Sequence, residues 1–156
     1  FGGSDTYNIT NKVIKNLNIN EFKGSIYLGP GYKSQIKNYS KSTFKIISDV
    51  KNLENQMYKY DLIICGGGIT PFNAASQGLP SLIIACEKHE IETAKYLQKL
   101  DVSRFIGFRK AKFKNKLLQN LNIINMSKNC LKNFDNSGSS NFVKFIKKRY
   151  YEHKRD

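Results

Sequence analysis

Residues 66–68 are three consecutive glycines that follow the apolar run 62–65 and precede a segment able to form a helix. Glycine has no side chain, so a cluster at a strand-to-helix turn lets a ligand approach the backbone closely. The N–H groups of such a turn favour a phosphate, and Thr70 is predicted to cap the following helix, with Pro71 as its first helical residue. Neither the GxGxxG spacing of dinucleotide sites nor the Lys-Ser/Thr ending of a P-loop is present. The turn therefore predicts phosphate binding, and close strand–helix packing is the alternative.

Two more glycine turns occur earlier in the chain. The opening residues, FGGSD, place glycines and a hydroxyl group before a helical segment, with Asp5 or Thr6 as the predicted cap. Two such turns on the same edge of a sheet could hold the two phosphates of a diphosphate. The third turn, LGPGYK at residues 28–33, is either a type II turn or a further part of a binding site.

Histidine and cysteine provide few candidates for catalysis. His89 and His153 are the two histidines, and neither has a carboxylate or a nucleophile at a useful spacing. Cys65, Cys86 and Cys130 are not at metal-ligand spacing, and two of them lie in apolar runs, so we interpret them as reduced packing residues. The sequence predicts no catalytic residue, no metal site and no cofactor in this chain.

Acidic residues gather in the stretch EKHEIETAKYL, which follows an apolar run. Glu87, Glu90 and Glu92 lie there, in a chain that has only 12 acidic residues. Complementarity to the positive end of a helix is one explanation. Contact with sugar hydroxyls is the other, and the two explanations are compatible.

The chain is strongly basic, with 26 Lys and Arg residues and a formal net charge of +14. Such a charge favours anionic partners, which include nucleotides, nucleic acids and membrane surfaces. However, Lys, Asn and Ile dominate the sequence together, as AT-rich codon usage produces without selection for binding. The basic residues are scattered except in the tail, residues 144–155, where a solvated helix face is a better explanation than a nucleic-acid arm. A nucleic-acid partner is therefore not expected.

The apolar runs are too short to cross a bilayer, which predicts a soluble protein. The first residues show neither an initiator methionine nor a leader, so we expect an excised fragment of a cytoplasmic protein.

Strand-length apolar runs alternate with longer amphipathic stretches, which is typical of βαβ units in a parallel sheet. Ile9, Val13 and Leu17 recur four apart, which predicts that the first helix packs one face on that sheet. The expected strands are 25–28, 44–48, 62–65, 81–85 and 104–107. The expected helices are 7–17, 34–39, 53–58, 71–77, 90–100, 110–120 and 141–152, with a loop at 133–141.

Several motifs together resemble the carboxyl-terminal half of GT-B glycosyltransferase-like proteins. These are FGGSD, IYLGPGYK, ISDVKNLENQMYKYDLIICGGGITPFNAASQGLPSLII and EKHEIETAKYL, which occur in matching order from Phe1 to about Phe108. They are most similar to the UDP-sugar hydrolase of pseudaminic acid biosynthesis and the spore-coat polysaccharide proteins. They are more distantly similar to the N-acetylglucosaminyltransferase that makes lipid II.

The resemblance implies two Rossmann-like domains facing a cleft, of which the carboxyl-terminal one holds a nucleotide diphosphate. One position departs from the family, because Asn73 stands where relatives carry a Glu expected to hold the ribose hydroxyls. The implied nucleotide contacts are Gly2, Gly3 and Ser4, Val50 at the base, Gly66, Gly67, Gly68, Ile69 and Thr70, and Asn73. The implied sugar contacts are Glu90, Glu92 and Thr93.

We therefore expect an α/β domain with a Rossmann-like open parallel sheet of about six strands and helices on both faces. Residues 1–136 form the nucleotide-sugar-binding domain, and residues 137–156 form a basic helix that packs on it. The expected function is UDP-sugar binding in an enzyme that hydrolyses or transfers from a UDP-sugar for surface polysaccharide or nonulosonic acid synthesis. The resemblance implies that an amino-terminal domain of the same chain supplies the catalytic residues. The alternative is a basic module that binds nucleic acid or another polyanion without catalysis.

Overall fold

A computed structural model of the protein describes five strands and six helices. The described residues are 1–16, 22–36, 43–109, 118, 120–135 and 137–152. Strands β1 to β5 comprise Gly24–Tyr27, Phe44–Ile47, Ile63–Cys65, Ser81–Ala85 and Ser103–Phe108. Helices α1 to α6 comprise Ile9–Asn16, Glu54–Met57, Thr70–Ala75, Glu90–Lys99, Ile123–Asn133 and Gly138–Glu152.

All of the described strand pairs are parallel, which confirms the predicted α/β class. Strands β1 and β2 form one sheet, and β3, β4 and β5 form the other with β4 in the middle. The expected sheet of about six strands thus appears as two smaller parallel sheets among the described residues. A register shift between Ile83 and Ile84 marks an irregularity in the β4–β5 pairing. Beside it, Gly107 has a φ of 140°, which disfavours residues with a side chain.

Strand β4 is the centre of the larger sheet, and each of its residues is buried. Leu82 and Ile84 pack against Ile9 and Val13 of α1 on one face, as the spacing of the α1 residues predicted. Ile83 belongs to a second core cluster, which includes residues of α3, α4 and α5. Because successive side chains of a strand point to opposite faces, helices cover both sides of β4. This is the Rossmann-like arrangement.

Polar side chains connect the two sheets. The hydroxyl groups of Tyr27 in β1 and Tyr60 before β3 lie 2.9 Å apart, and their rings are T-shaped with centroids separated by 6.1 Å. Burial, together with the hydrogen bond, raises the pKa of Tyr27 to about 12, so this hydroxyl stays protonated at neutral pH. Asn11 of α1 also donates a hydrogen bond of 2.9 Å to the carbonyl oxygen of Gln35.

The prediction of helices was incomplete in the last third of the chain. Helix α5 was missed, although Met126 and Cys130 are fully buried in it and the Asn122 side chain accepts the Asn125 N–H at its start. The predicted loop at 133–141 is shorter, because α5 ends at Asn133 and α6 begins at Gly138. The predicted helix at 110–120 lies almost entirely outside the described residues, and the one at 34–39 lies partly outside them.

Helix α6 confirms the predicted carboxyl-terminal helix, and it has no buried residue. Its apolar side chains, such as Phe142 and Phe145 with exposed fractions of 64% and 55%, face solvent. The division at residues 136 and 137, and the packing of this helix on the domain, remain predictions. No helix among the described residues is long and apolar enough to span a membrane.

Candidate functional site

The turn at residues 66–70 connects β3 to α3 at the carboxyl edge of the sheet. Ile69 occupies the N-cap position of α3, because the N–H groups of Phe72 and Asn73 donate to its carbonyl oxygen at 3.0 and 3.2 Å. The predictions that Thr70 caps the helix and that Pro71 is its first residue are therefore wrong, since Thr70 is the first helical residue and Pro71 is the second. The N-cap makes no side-chain hydrogen bond.

The three glycines of this turn have different physical roles. Their φ angles are not in the left-handed region. A Cβ on Gly67 would lie 2.7 Å from the Cβ of Glu90 and 2.9 Å from its carbonyl oxygen, so Gly67 is required for close packing. A Cβ on Gly66 or Gly68 would meet no atom closer than 3.8 or 3.7 Å. The packing explanation therefore holds for Gly67, and the space beside Gly66 and Gly68 is open to a ligand.

The backbone of this turn offers hydrogen-bond donors. None of the N–H groups of residues 66–69 donates to a carbonyl or side chain elsewhere in the described part of the chain. The Thr70 hydroxyl likewise has no partner there. Helix α3 has six residues, so its dipole is small and these N–H groups are the main attraction for an anion.

The backbone N–H groups that follow the opening turn already donate to a side chain of that turn. Gly2 has a φ of 65° and Asp5 a φ of 45°. The Asp5 carboxylate, only 5% exposed, accepts the N–H groups of Ile9 and Thr10 at 2.8 and 2.9 Å. The Asp5 side chain thus caps α1 as predicted, although Asp5 lies four residues before Ile9 and not at the N-cap position. Because Asp5 already binds these two donors, they are not available to a phosphate.

The third glycine turn, at residues 28–33, packs against the opening turn. A Cβ on Gly29 would lie 2.6 Å from the Cα of Gly3, and the Gly31 N–H donates to the Gly3 carbonyl over 2.9 Å. The Tyr32 N–H closes the turn on the Gly29 carbonyl at 3.0 Å, but φ of Gly31 is not positive. The expected type II geometry is therefore wrong, because type II needs a positive φ at this position.

The opening turn and the turn at residues 66–70 both contact the loop that follows β4. The Tyr7 hydroxyl donates to the Glu87 carboxylate at 2.9 Å, which raises the pKa of Tyr7. Gly67 packs against Glu90, the first residue of α4, which follows the same loop. The opening turn itself lies against Gly29 and Gly31, which follow β1, so each turn lies at the carboxyl end of a strand. That the two turns share one edge stays a prediction.

The residues of the acidic stretch have different surroundings: one carboxylate accepts hydrogen bonds from the loop after β4, and another is exposed to solvent. Glu90 accepts the N–H group of Cys86 at 2.6 Å and that of Glu87 at 3.4 Å, which places its carboxylate over the turn at residues 66–70. Glu92 is exposed and pairs with Lys95 at 3.2 Å. Thr93 is half-buried in α4. The structure thus brings Glu90 to the glycine turn.

Sequence reasoning missed Arg109, which also lies at this edge. Its guanidinium group is 4.0 Å from the centre of the Tyr7 ring and 4.0 Å from the Glu87 carboxylate. It also donates to the carbonyl of Cys86 at 3.5 Å. No motif marks this residue. Its position at the end of β5, on the carboxyl edge, was the available signal.

Asn73 faces α2. The sequence analysis had predicted no binding residue on that helix. Its Nδ2 donates to Glu54 Oε1 over 2.6 Å. The two side chains line a solvent-open cavity of about 520 Å³ between α2 and α3. Val50 is half-buried in the loop before α2, next to Asp49, whose φ of 59° marks a tight turn.

The cysteines have the properties of packing residues. Burial raises the pKa of Cys65 to about 12 and that of Cys86 to about 11, so both are thiols at neutral pH. His89 is an exposed residue at the start of α4, and His153 lies outside the described residues. Within the described ranges no group of three or more His, Cys, Asp or Glu side chains is placed to hold a metal ion.

Comparisons with known proteins agree with this fold. The crystal structure of Acinetobacter baumannii MurG matches with a TM-score of 0.70 at 16% identity, over 94% of this chain and 48% of that one. An uncharacterised protein of Methanocaldococcus jannaschii is 36% identical over 93 residues, which are 54% of this chain and 19% of that protein. The chain thus spans about half of one relative and about a fifth of the other. The model of the glycosyltransferase family 28 C-terminal domain matches residues 1–150, and the chain therefore belongs to that family.

Proposed function

We propose that this domain binds the diphosphate of a UDP-sugar at the turn of residues 66–70. The observation that carries the proposal is the row of N–H groups at residues 66–69, which donate to no other described residue. They lie at the carboxyl edge of a parallel sheet, where α/β proteins bind ligands. Membership of the glycosyltransferase family 28 C-terminal domain family supports the same ligand class.

The charges around the turn favour a particular orientation of this ligand. The Glu90 carboxylate lies beside Gly66 and Gly68, and it would repel a phosphate placed directly against it. The phosphates therefore bind on the side of Ile69 and Thr70. The sugar hydroxyls, which can donate to a carboxylate, face Glu90. Glu92 and Thr93 follow it on α4 as further sugar contacts.

The remaining predicted contacts complete the proposed site. Gly2, Gly3 and Ser4 border the same edge and contact the second phosphate through groups that Asp5 does not occupy. Val50 meets the base through its backbone. Asn73 lies between these two regions.

The enzyme that contains this domain hydrolyses or transfers from the UDP-sugar in cytoplasmic synthesis of surface polysaccharide or nonulosonic acid. Donors held at residues 66–69 stabilise the negative charge that grows on UDP as its bond to the sugar breaks. The group that acts on the sugar or on water belongs to an amino-terminal domain of the same protein. This chain alone is expected to bind UDP without turnover.

Calorimetric titration of the chain with UDP, UMP and a single-stranded oligonucleotide tests the proposal. Gly68→Ala adds a methyl group between the turn and the Glu90 carboxylate, where a Cβ has room in the folded protein but would crowd a ligand bound against residues 66–69. It should weaken UDP binding about tenfold, which corresponds to about 1.4 kcal/mol. Gly138→Ala is the control, because a Cβ there meets nothing within 4 Å and lies on α6. Equal UDP affinity in both variants would contradict the proposal.

The rival function is polyanion binding by helix α6. This helix exposes Lys144, Lys147, Lys148 and Arg149, with Tyr150 and Tyr151 beside them. Such binding would be tight for the oligonucleotide, weak for UDP and steeply dependent on salt. That outcome would replace the UDP-sugar proposal.

A further inference from the structure

The cavity between α2 and α3 presents a carboxylate beside an amide. Asn73 Nδ2 donates to Glu54 Oε1 over 2.6 Å, which is short for a bond of this kind and is assisted by the charge of the carboxylate. The volume of about 520 Å³ is sufficient for a group of nucleoside size. The other lining residues are Asn55, Tyr58, Ser76 and Gln77.

Glu54 retains unused hydrogen-bonding capacity. An ionised carboxylate only accepts hydrogen bonds, and its two oxygens offer about four sites, of which Asn73 fills one. Among the described residues no Lys or Arg forms an ion pair with Glu54. A carboxylate in this state binds a neutral group with several donors, such as a diol, and repels a phosphate.

The cavity lies between the two helices that follow the regions proposed to hold a nucleotide. Helix α2 follows the loop of Val50, which is proposed to meet the base, and α3 follows the turn of residues 66–70, which is proposed to hold the phosphates. The ribose of a nucleotide joins its base to its phosphates. A nucleotide with its base at Val50 and its phosphates at residues 66–70 would carry its ribose near Glu54 of α2 and Asn73 of α3.

We infer that Glu54 binds the ribose hydroxyls of the nucleotide and that Asn73 is a positioning residue, which holds the Glu54 carboxylate in place. This inference rests on the proposed function, because it needs a nucleotide at the turn of residues 66–70. It assigns to Glu54 the selection of a ribonucleotide over a deoxyribonucleotide.

Titration of the 156-residue chain with UDP and 2′-deoxy-UDP tests the inference. Loss of one hydroxyl bonded to a charged acceptor should weaken binding about tenfold or more. Glu54→Gln should reduce this preference to about threefold or less, and it should weaken 2′-deoxy-UDP, which offers Glu54 only the 3′-hydroxyl, by a smaller factor than UDP. Asn73→Ala should reduce the preference in the same direction, because the carboxylate is then no longer fixed. Glu152→Gln, an exposed carboxylate on α6, is the control and should keep the full preference.

The outcomes separate this inference from the proposed function. UDP binding with equal affinity for 2′-deoxy-UDP in the unmodified chain would overturn the role of Glu54 and leave the UDP site intact. A parallel loss of affinity for both nucleotides in Glu54→Gln would show a structural role and would also overturn it. Absence of binding of either nucleotide would overturn the proposed function and, with it, this inference.

Discussion

The opening turn of residues 1–5 and the turn of residues 66–70 are alike in sequence and different in physics. The opening turn contains Gly2 at a φ of 65°, a backbone conformation that residues with side chains rarely adopt. In the second turn the φ angles are ordinary, and Gly67 is needed because Glu90 lies against it. The donors of α1 are bound by Asp5, whereas those of residues 66–69 are unused among the described residues.

This difference shows that a glycine cluster has more than one physical cause. A left-handed backbone, a close approach of neighbouring atoms and access for a ligand produce the same letters in a sequence. The hydrogen-bond partners of the backbone distinguish them. On this criterion the turn of residues 66–70 is the better candidate for the proposed phosphate site.

The largest effect on stability is expected from Gly67→Ala. The added Cβ would lie 2.7 Å from the Glu90 Cβ and 2.9 Å from a backbone oxygen, so α4 or the turn must shift. We expect a loss of about 1–3 kcal/mol in the free energy of unfolding, measured by chemical denaturation. Gly68→Ala is the matched control and should lie within about 0.5 kcal/mol of the unmodified chain. Equal losses in both variants would show that packing against Glu90 does not distinguish these glycines.

Asp5→Ala is expected to destabilise the protein by about 1–2 kcal/mol, because it removes a buried cap that accepts two N–H groups. Asp61→Ala, which removes an exposed carboxylate, is the control and should change the free energy of unfolding by less than about 0.5 kcal/mol. Asp5→Ala should also free two donors and remove a negative charge. If the opening turn contacts a phosphate, UDP affinity should therefore rise. An unchanged affinity would restrict the phosphate site to the second turn.

Gly2→Ala and Gly3→Ala form a pair that isolates backbone strain. A Cβ on either glycine meets nothing within 4 Å, but only Gly2 has a positive φ. We expect Gly2→Ala to lower the free energy of unfolding by about 1 kcal/mol and Gly3→Ala to leave it nearly unchanged. The same denaturation measurement checks both. A similar cost at Gly3 would mean that its contact with Gly29 and Gly31 limits this position instead.

The smallest expected effect is a change in the alkylation rate of Cys86, which lies beside the turn of residues 66–70. Its Sγ lies 3.8 Å from the position of a Cβ on Gly66, and burial raises its thiol pKa to about 11 from the usual 9.0. The thiolate is therefore disfavoured in the folded state, and alkylation should keep rising with pH up to about pH 11. Bound UDP should slow this alkylation, followed by mass spectrometry of the Cys86 peptide at pH 9. A profile that levels off near pH 9 would contradict the burial of the thiol.

The regular elements were predictable where local pattern and tertiary packing agree. All five described strands coincide with the apolar runs of strand length that the sequence predicted. The physical reason is clearest for β4, which is buried on both faces. Helix α5 was missed although Ile123, Met126 and Cys130 recur on one face, since the polar residues between them obscure the pattern. The cap of α3 was assigned to Thr70, because Ile69 accepts hydrogen bonds there with its backbone and not with a side chain.

The candidate site was only partly predictable. The three glycines, Asp5 and the position of Asn73 follow from the sequence, since turns and caps depend on neighbouring residues. Glu54 and Arg109 could not be found this way, because their contacts join residues that are 19 or more positions apart.

The sequence by itself determined the parallel α/β class, the positions of the strands along the chain and the placement of glycines at turns, because these depend on the local period of apolar residues and on backbone sterics. The tertiary structure decided which donors remain available at the carboxyl edge. It also decided that Glu90 covers one side of the second turn and that Asn73 faces Glu54. These features arise when loops from different strands meet at one edge, and no local pattern records which of their side chains come into contact.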